Sequence, residues 1–192
     1  MSQYSRQNPS PRYRELVTLY QQVHREGIPE QNLAGEDVYV GKSLIGHLPA
    51  IQALVEATGT KSLLDYGAGK GRLAMELVKL LKRPIRITPY DPAIPGWDAE
   101  PEPDEMVACI DVLEHIEPER LDVVLDHLAR LVKRVGYFTV HTGPAERILP
   151  DGRNAHLIQE KPTWWLPKIM ARFELQNFNR MTNGFAVLVQ PL

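Results

Sequence analysis

Three short strings carry the side chains able to do chemistry. In "LLDYGAGKG" an acid, Asp65, is followed by glycines at alternate positions, Gly67, Gly69 and Gly71. Side chains at those positions would obstruct a tight turn, a ligand approaching the backbone, or the packing of a following helix. Asp91 ends the string "PIRITPYD", where a carboxylate can accept both hydroxyls of a ribose. In "DVLEHI" Asp111, Glu114 and His115 stand at i, i+3 and i+4, one side of the chain if the segment turns helical. His141 follows the next apolar run, and His156 lies in the polar stretch "PDGRNAHLIQEKPTWW". Asp111, Glu114, His115 and His156 could hold a divalent metal that orients a hydroxyl pair and lowers its pKa. Without a metal, His115, His141 or His156 could serve as general base.

The elements that must position these groups alternate in type. Residues 62–66 read as an apolar strand, and Leu73, Leu77, Leu80 and Leu81 give the following segment helical spacing. Strands ending at Asp91 and Asp111 come next. A helix is expected over 117–134, with Pro118 near its start and Lys133 and Arg134 in its last turn. The strand "VGYFTVHT" follows. Such alternation predicts an α/β fold with a mostly parallel sheet and helices on both faces. The last two strands, "FELQNFNR" and "GFAVLVQP", are separated only by "MTN", which demands an antiparallel hairpin. The proline-rich, acidic "PAIPGWDAEPEPDE" has no room for a helix plus strand, so the region after the second strand is shortened. Upstream, residues 1–12 read as a loose arm, and two amphipathic helices carry Leu16, Leu19, Tyr20 and Val23, then Leu48, Ile51, Leu54 and Val55. Residues 1–59 are thus expected to pack on a domain spanning 60–192.

Composition bounds the rest. The chain has 192 residues, 43% hydrophobic and 24% charged, which suits one ordinary domain with a real core. With 22 basic and 24 acidic residues there is no global positive field for a polyanion, which argues against a nucleic-acid partner. Cys109 stands alone, excluding an intramolecular disulfide and any multi-cysteine metal site. The N-terminal residues show no secretory signal and no stretch reaches the roughly 20 apolar residues of a bilayer span, so a soluble cytoplasmic protein without membrane insertion is expected.

Asp65 beside a helix N-terminus would repel a pyrophosphate but pair with a cationic amino-acid group. That favours S-adenosylmethionine over a nicotinamide dinucleotide. On "LLDYGAGKG", "YDP" and "VACIDVLEHI" the sequence resembles the class I S-adenosylmethionine-dependent methyltransferases over about residues 60–192. The resemblance implies a Rossmann-like methyltransferase fold, with Asp65, Gly67 and Gly69 at the methionine end of the cofactor, Asp91 at the ribose, and Asp111 on the reaction cleft. Trp97, Asp98 and Met106 are candidates for the adenine. The "LEH" segment is shared with ubiquinone-biosynthesis O-methyltransferases. Asp111, Glu114, His115 and His156 are similar to the Glu-x-x-Glu-His set and later histidine with which small-RNA 3′-terminal 2′-O-methyltransferases bind magnesium, aspartate here replacing the first glutamate.

The expected function is methyl transfer to a small molecule or saccharide-type acceptor, at oxygen, with magnesium as an optional second cofactor. Three alternatives stand beside it: an NAD(P)-dependent oxidoreductase, a non-catalytic methyltransferase-like binding subunit, and metal-assisted transfer to a nucleic-acid ribose hydroxyl. Trp164 and Trp165 could wall a ring or sugar substrate or simply pack. Arg147, Arg153 and Lys161 add local positive charge suited to a phosphorylated or carboxylated substrate.

Overall fold

The computed structural model describes residues 9–192; most of the expected N-terminal arm lies outside them. The first helix starts within the stretch expected to be a loose arm, because Ser10 caps it: its hydroxyl accepts the Tyr13 N–H at 3.1 Å, and Pro11 sits where no intrahelical N–H is needed. This helix, α1 (Pro11–Glu26), buries Leu16 and Val23 and stops at Gly27, whose φ is 84°.

The remaining elements are α2 (Leu44–Thr58), β1 (Ser62–Tyr66), α3 (Arg72–Leu80), β2 (Arg86–Tyr90), β3 (Asp104–Ile110), α4 (Leu121–Leu131), β4 (Val132–His141), α5 (Pro162–Met170), β5 (Phe173–Met181) and β6 (Gly184–Pro191). One six-stranded sheet runs β2-β1-β3-β4-β6-β5. β1 pairs parallel with β2 and β3, and β3 with β4; β6 is antiparallel to both β4 and β5. The closing hairpin and the mostly parallel sheet are those the sequence predicts.

Both faces are covered. α2 and α3 bring Leu48, Ile51, Val55, Leu73 and Leu77 against Leu63, Met106 and Tyr137 on one side. α4 and α5 bring Leu125, Leu128, Trp165 and Ile169 against Leu64, Val107, Phe138 and Val187 on the other. Residues 91–103 form neither helix nor strand, so β2 is an edge and the shortening is real.

One boundary differs from expectation. The helix ends at Leu131, and Val132 already pairs with Asp104 in the sheet, so Lys133 and Arg134 belong to β4. Leucines at helical spacing carry no information about where ladder pairing begins, and buried Val132 and Val135 suit a strand.

β1 and β3 lie side by side, and the connections that leave them run in opposite directions, from β1 to β2 and from β3 to β4. A cleft therefore opens beyond the carboxyl ends of these strands. Asp65 and Asp91 stand there with the residues that follow β3 and β4.

The two tryptophans are separated in role by burial. Trp165 is wholly buried and its indole N–H donates to the Glu160 carbonyl at 3.1 Å, whereas Trp164 is half-buried with Lys168 4.7 Å from its ring centroid; neither lines the cleft. Trp165→Ala should cost about 3–5 kcal/mol of unfolding free energy and Trp164→Ala far less, as read by urea denaturation.

Candidate active site

After Tyr66 the chain turns through Gly67, Gly69 and Gly71, each with positive φ, into α3. A Cβ at Gly67 would lie 2.4 Å from Val112 Cγ2, so the loop following β3 can close on the loop following β1 only over a glycine. The Gly69 N–H donates to Asp91 Oδ2 and the Ala93 N–H to Asp91 Oδ1, both at 2.9 Å. These bonds aim the carboxylate while leaving each oxygen a further lone pair. Asp65 is buried; burial, and then the charge of Asp91, push its carboxyl up to about 7. A cation bound at Asp65 would restore the ionised form.

Of the residues proposed for the adenine, none lines this cavity. Met106 is in the sheet core. Trp97 folds back, its carbonyl accepting the Asp91 N–H at 3.0 Å and its ring packing over Gly71, where a Cβ would come 2.9 Å from Cη2. Asp98 instead accepts the Gly96 N–H at 3.1 Å and borders a separate, smaller hollow.

Beyond β3 the backbone does not turn helical at once. Asp111 takes φ 51°, its N–H donates to Thr139 Oγ1 at 2.9 Å, and that hydroxyl donates to Asp111 Oδ1 at 2.6 Å. A single 3-10 turn, Leu113–His115, follows. The helical face assumed for Asp111, Glu114 and His115 is therefore absent. Glu114, His115 and His156 converge, with one ligand atom from each inside a 4.8 Å set, while Asp111 stays outside that set, bonded to Thr139 on the cavity wall.

Glu114 is wholly buried. Its Oε1 accepts the His141 backbone N–H at 2.8 Å, and its Oε2 is buried with no donor among the described residues. Burial, and then Asp111, hold this carboxyl well above the usual carboxylate range. The His115 imidazole, with Nδ1 2.9 Å from the Tyr20 hydroxyl, is pushed down to about 3 by burial and next by His156. His156 Nδ1 lies 2.8 Å from the Gly143 carbonyl, which can only accept, so the proton sits on Nδ1 and the Nε2 lone pair is available. Burial also lowers the His156 pKa. Its ring centroid is 4.9 Å from that of His115 and 4.8 Å from that of His141.

One cavity of about 450 Å³ joins the two ends. It is lined by Asp65, Gly67, Gly69 and Asp91 on one side and by His115, His141 and His156 on the other, with Asp111 between. Sequence reasoning missed the roof. Tyr20 and His24 of α1 and Tyr39 of the following connector also line it. Tyr20 counted only as part of an apolar stripe, although a phenol at a buried helix face needs a hydrogen-bond partner and so signals a polar site.

A family model described as a methyltransferase domain matches residues 44–185, about three quarters of the chain. No curated protein matches the sequence. Among solved structures, 1,6-didemethyltoxoflavin-N1-methyltransferase of Burkholderia thailandensis, with bound 1,6-didemethyltoxoflavin and S-adenosylhomocysteine, superposes with TM-score 0.65 at 16% identity, covering 95% of this chain and 90% of that one. The N-methyltransferase NodS of Bradyrhizobium japonicum WM9, in complex with S-adenosylhomocysteine, gives 0.60 at 11%, covering 90% and 98%. Magnesium protoporphyrin IX methyltransferase of Synechocystis PCC 6803, with bound S-adenosylmethionine, gives 0.58 at 15%, covering 93% and 97%. The chain belongs to the methyltransferase-domain family and has the class I, S-adenosylmethionine-dependent methyltransferase fold. None of its described helices is long and apolar enough to cross a membrane.

The raised Asp65 pKa has a sign that can be checked. Between the unfolded value near 4 and the folded value of about 7, the folded state holds a proton that the unfolded state lacks. Asp65 therefore makes stability fall as pH rises through this window. Asp65→Asn should remove that part of the slope and raise the unfolding temperature above pH 7, as followed by thermal melts from pH 4 to 8.5.

Proposed function

We propose that this protein transfers the methyl group of S-adenosylmethionine to a hydroxyl of a small molecule. The observation that carries the reading is the single cavity in which a buried carboxyl, a glycine turn and a ribose-type acid face a cluster of three histidines. The glycine turn and the buried acid fit the cofactor: Gly67 and Gly69 present bare backbone to the cavity, and Asp65 would pair with the ammonium of its amino-acid part. Asp91, already aimed by two backbone N–H groups, would take the ribose hydroxyls.

The bound cofactor supplies a methyl group on a sulfonium, open to displacement in line with the departing sulfur. The chain supplies position, exclusion of water and a place for the acceptor's proton. Tyr20 and Tyr39 roof the cavity, and His156 presents the unprotonated Nε2 that would receive the hydroxyl proton. His115 and His141 flank that ring. His141 is fixed through its backbone N–H by Glu114, and Asp111 shapes the wall between donor and acceptor ends. The small molecules named with the solved relatives support a small acceptor, and the slightly acidic net charge supports it further over nucleic acid.

A second reading rests on Glu114 Oε2, which is buried with no donor among the described residues, beside His115 and His156. These three residues could hold a divalent cation, which would lower the pKa of an acceptor hydroxyl. Two imidazoles and one carboxylate suit zinc or manganese; magnesium favours an oxygen shell with several waters. The expected magnesium is therefore not the ion this donor set favours.

Calorimetric titration with S-adenosylhomocysteine, with NADH as control, tests the first reading. One-to-one binding of the former and none of the latter is expected. Affinity should rise with pH up to about 7, because Asp65 must ionise to pair with the ammonium, and should then level off. Binding of NADH alone would replace the proposal with an oxidoreductase, and binding of neither would leave a non-catalytic subunit. Metal analysis after exposure to zinc or manganese tests the second reading: stoichiometric retention lost in Glu114→Gln would support it, and no retention would reject it.

A further inference from the structure

Three cations stand on the connector between β4 and α5, and their surroundings differ. Arg153 is paired with Asp151 at 2.7 Å and reaches Glu117 at 3.8 Å. Lys161 is exposed and away from the cavity. Arg147 lines the cavity, half-buried, with its guanidinium carbon 5.3 Å from the Tyr39 ring centroid. Its Nε is buried with no acceptor among the described residues. That closed Nε is out of a ligand's reach as well, but no described residue accepts from the rest of the guanidinium either, so at the cavity wall its outer N–H groups remain to meet a ligand that brings its own acceptor.

The place of Arg147 says which ligand. The Ala155 N–H donates to the Arg147 carbonyl at 3.0 Å, and Ile148 bridges Asn154, so Arg147 is held across a short antiparallel contact from the segment carrying His156. It belongs to the wall bearing the histidines, whereas Asp65 and Asp91 stand at the ends of β1 and β2. Asp65, Asp91 and Asp111 line the same cavity and would oppose a phosphate dianion more than a monoanion. One planar guanidinium fork matches the two oxygens of a carboxylate.

We infer that Arg147 receives a carboxylate of the acceptor, making the substrate a small hydroxy acid held at one end by Arg147 and presented at its hydroxyl to His156. This rests on the methyl-transfer reading. It identifies Arg147 as the residue that decides which acceptors enter.

The test titrates the whole protein, with and without saturating S-adenosylhomocysteine, against acetate, benzoate, the neutral benzamide and inorganic phosphate, following binding by calorimetry and thermal shift. The expected result is saturable binding of a carboxylate, none of benzamide, and a loss of at least about tenfold in affinity in Arg147→Gln but not in Lys161→Gln. Affinity for S-adenosylhomocysteine should stay within about twofold in Arg147→Gln, within the margin expected of a residue that does not touch it. Arg147→Lys, which keeps charge without the fork, gives a second measure should the glutamine variant fail to fold, and intermediate affinity is expected. A large loss of S-adenosylhomocysteine affinity in Arg147→Gln would assign the guanidinium to the cofactor's own carboxylate and overturn the inference. Phosphate binding in preference to carboxylates, or no anion binding at all, would also overturn it. Failure of the wild type to bind S-adenosylhomocysteine would count against the methyl-transfer reading, while the titrations without it still report on the anion site.

Discussion

The contact of Val112 with Gly67 sets the geometry on which the site depends. Two loops leave neighbouring parallel strands and must pass close enough to form the floor of one cavity, and the isopropyl group of Val112 occupies the space that any side chain at position 67 would need. Because Val112 follows Asp111 directly, the same contact governs where the second loop begins its turn. Asp111 takes a left-handed conformation that non-glycine residues seldom adopt, and hydrogen bonds with the hydroxyl and carbonyl of Thr139 of β4 hold it there. The cofactor end and the histidine end are thus parts of one packing arrangement, fixed by three parallel strands lying side by side.

Electrostatics follows from that arrangement. Asp65, Asp91, Asp111 and Glu114 are gathered in a small volume, and the protein limits their repulsion in two ways. Asp91 and Asp111 are stabilised by hydrogen bonds, from backbone N–H groups and from Thr139 respectively. Asp65 and Glu114, deeper in the protein, have raised affinities for a proton. A site of this kind meets a cationic ligand with part of its charge held in reserve, and neutral imidazoles of depressed basicity lie beside it.

How far the sequence could be read depends on the range of the interaction involved. The strand, glycine turn and helix of residues 62–80 are local, because alternate glycines and leucine spacing each constrain a few neighbouring residues. The closing hairpin was equally legible, since three residues between two strands permit no other connection. The face of the "DVLEHI" segment was not, because it depended on a backbone conformation at Asp111 that Thr139, on another strand, supports. Nor was the helix end at Leu131, which ladder pairing with β3 decides. His156 lines the cavity, but its partner Gly143 and the roof from α1 and the connector after it are long-range features of the folded chain. Tyr39 in particular lies in a turn-rich stretch with no periodicity to mark it.

The short connector after Asp91 alters more than the ligand site. No strand among the described residues lies outside β2, so one side of its backbone is unpaired in the sheet, and such an edge is a template on which another chain can add. Two residues discourage that: Pro89 lacks the N–H needed to continue a ladder, and Arg86 carries a charged side chain that is largely exposed even while pairing with Asp104 at 3.1 Å. The loss of an outer strand is thereby matched by a guarded edge, and self-association through continuation of the sheet past β2 is disfavoured by the strand's own composition.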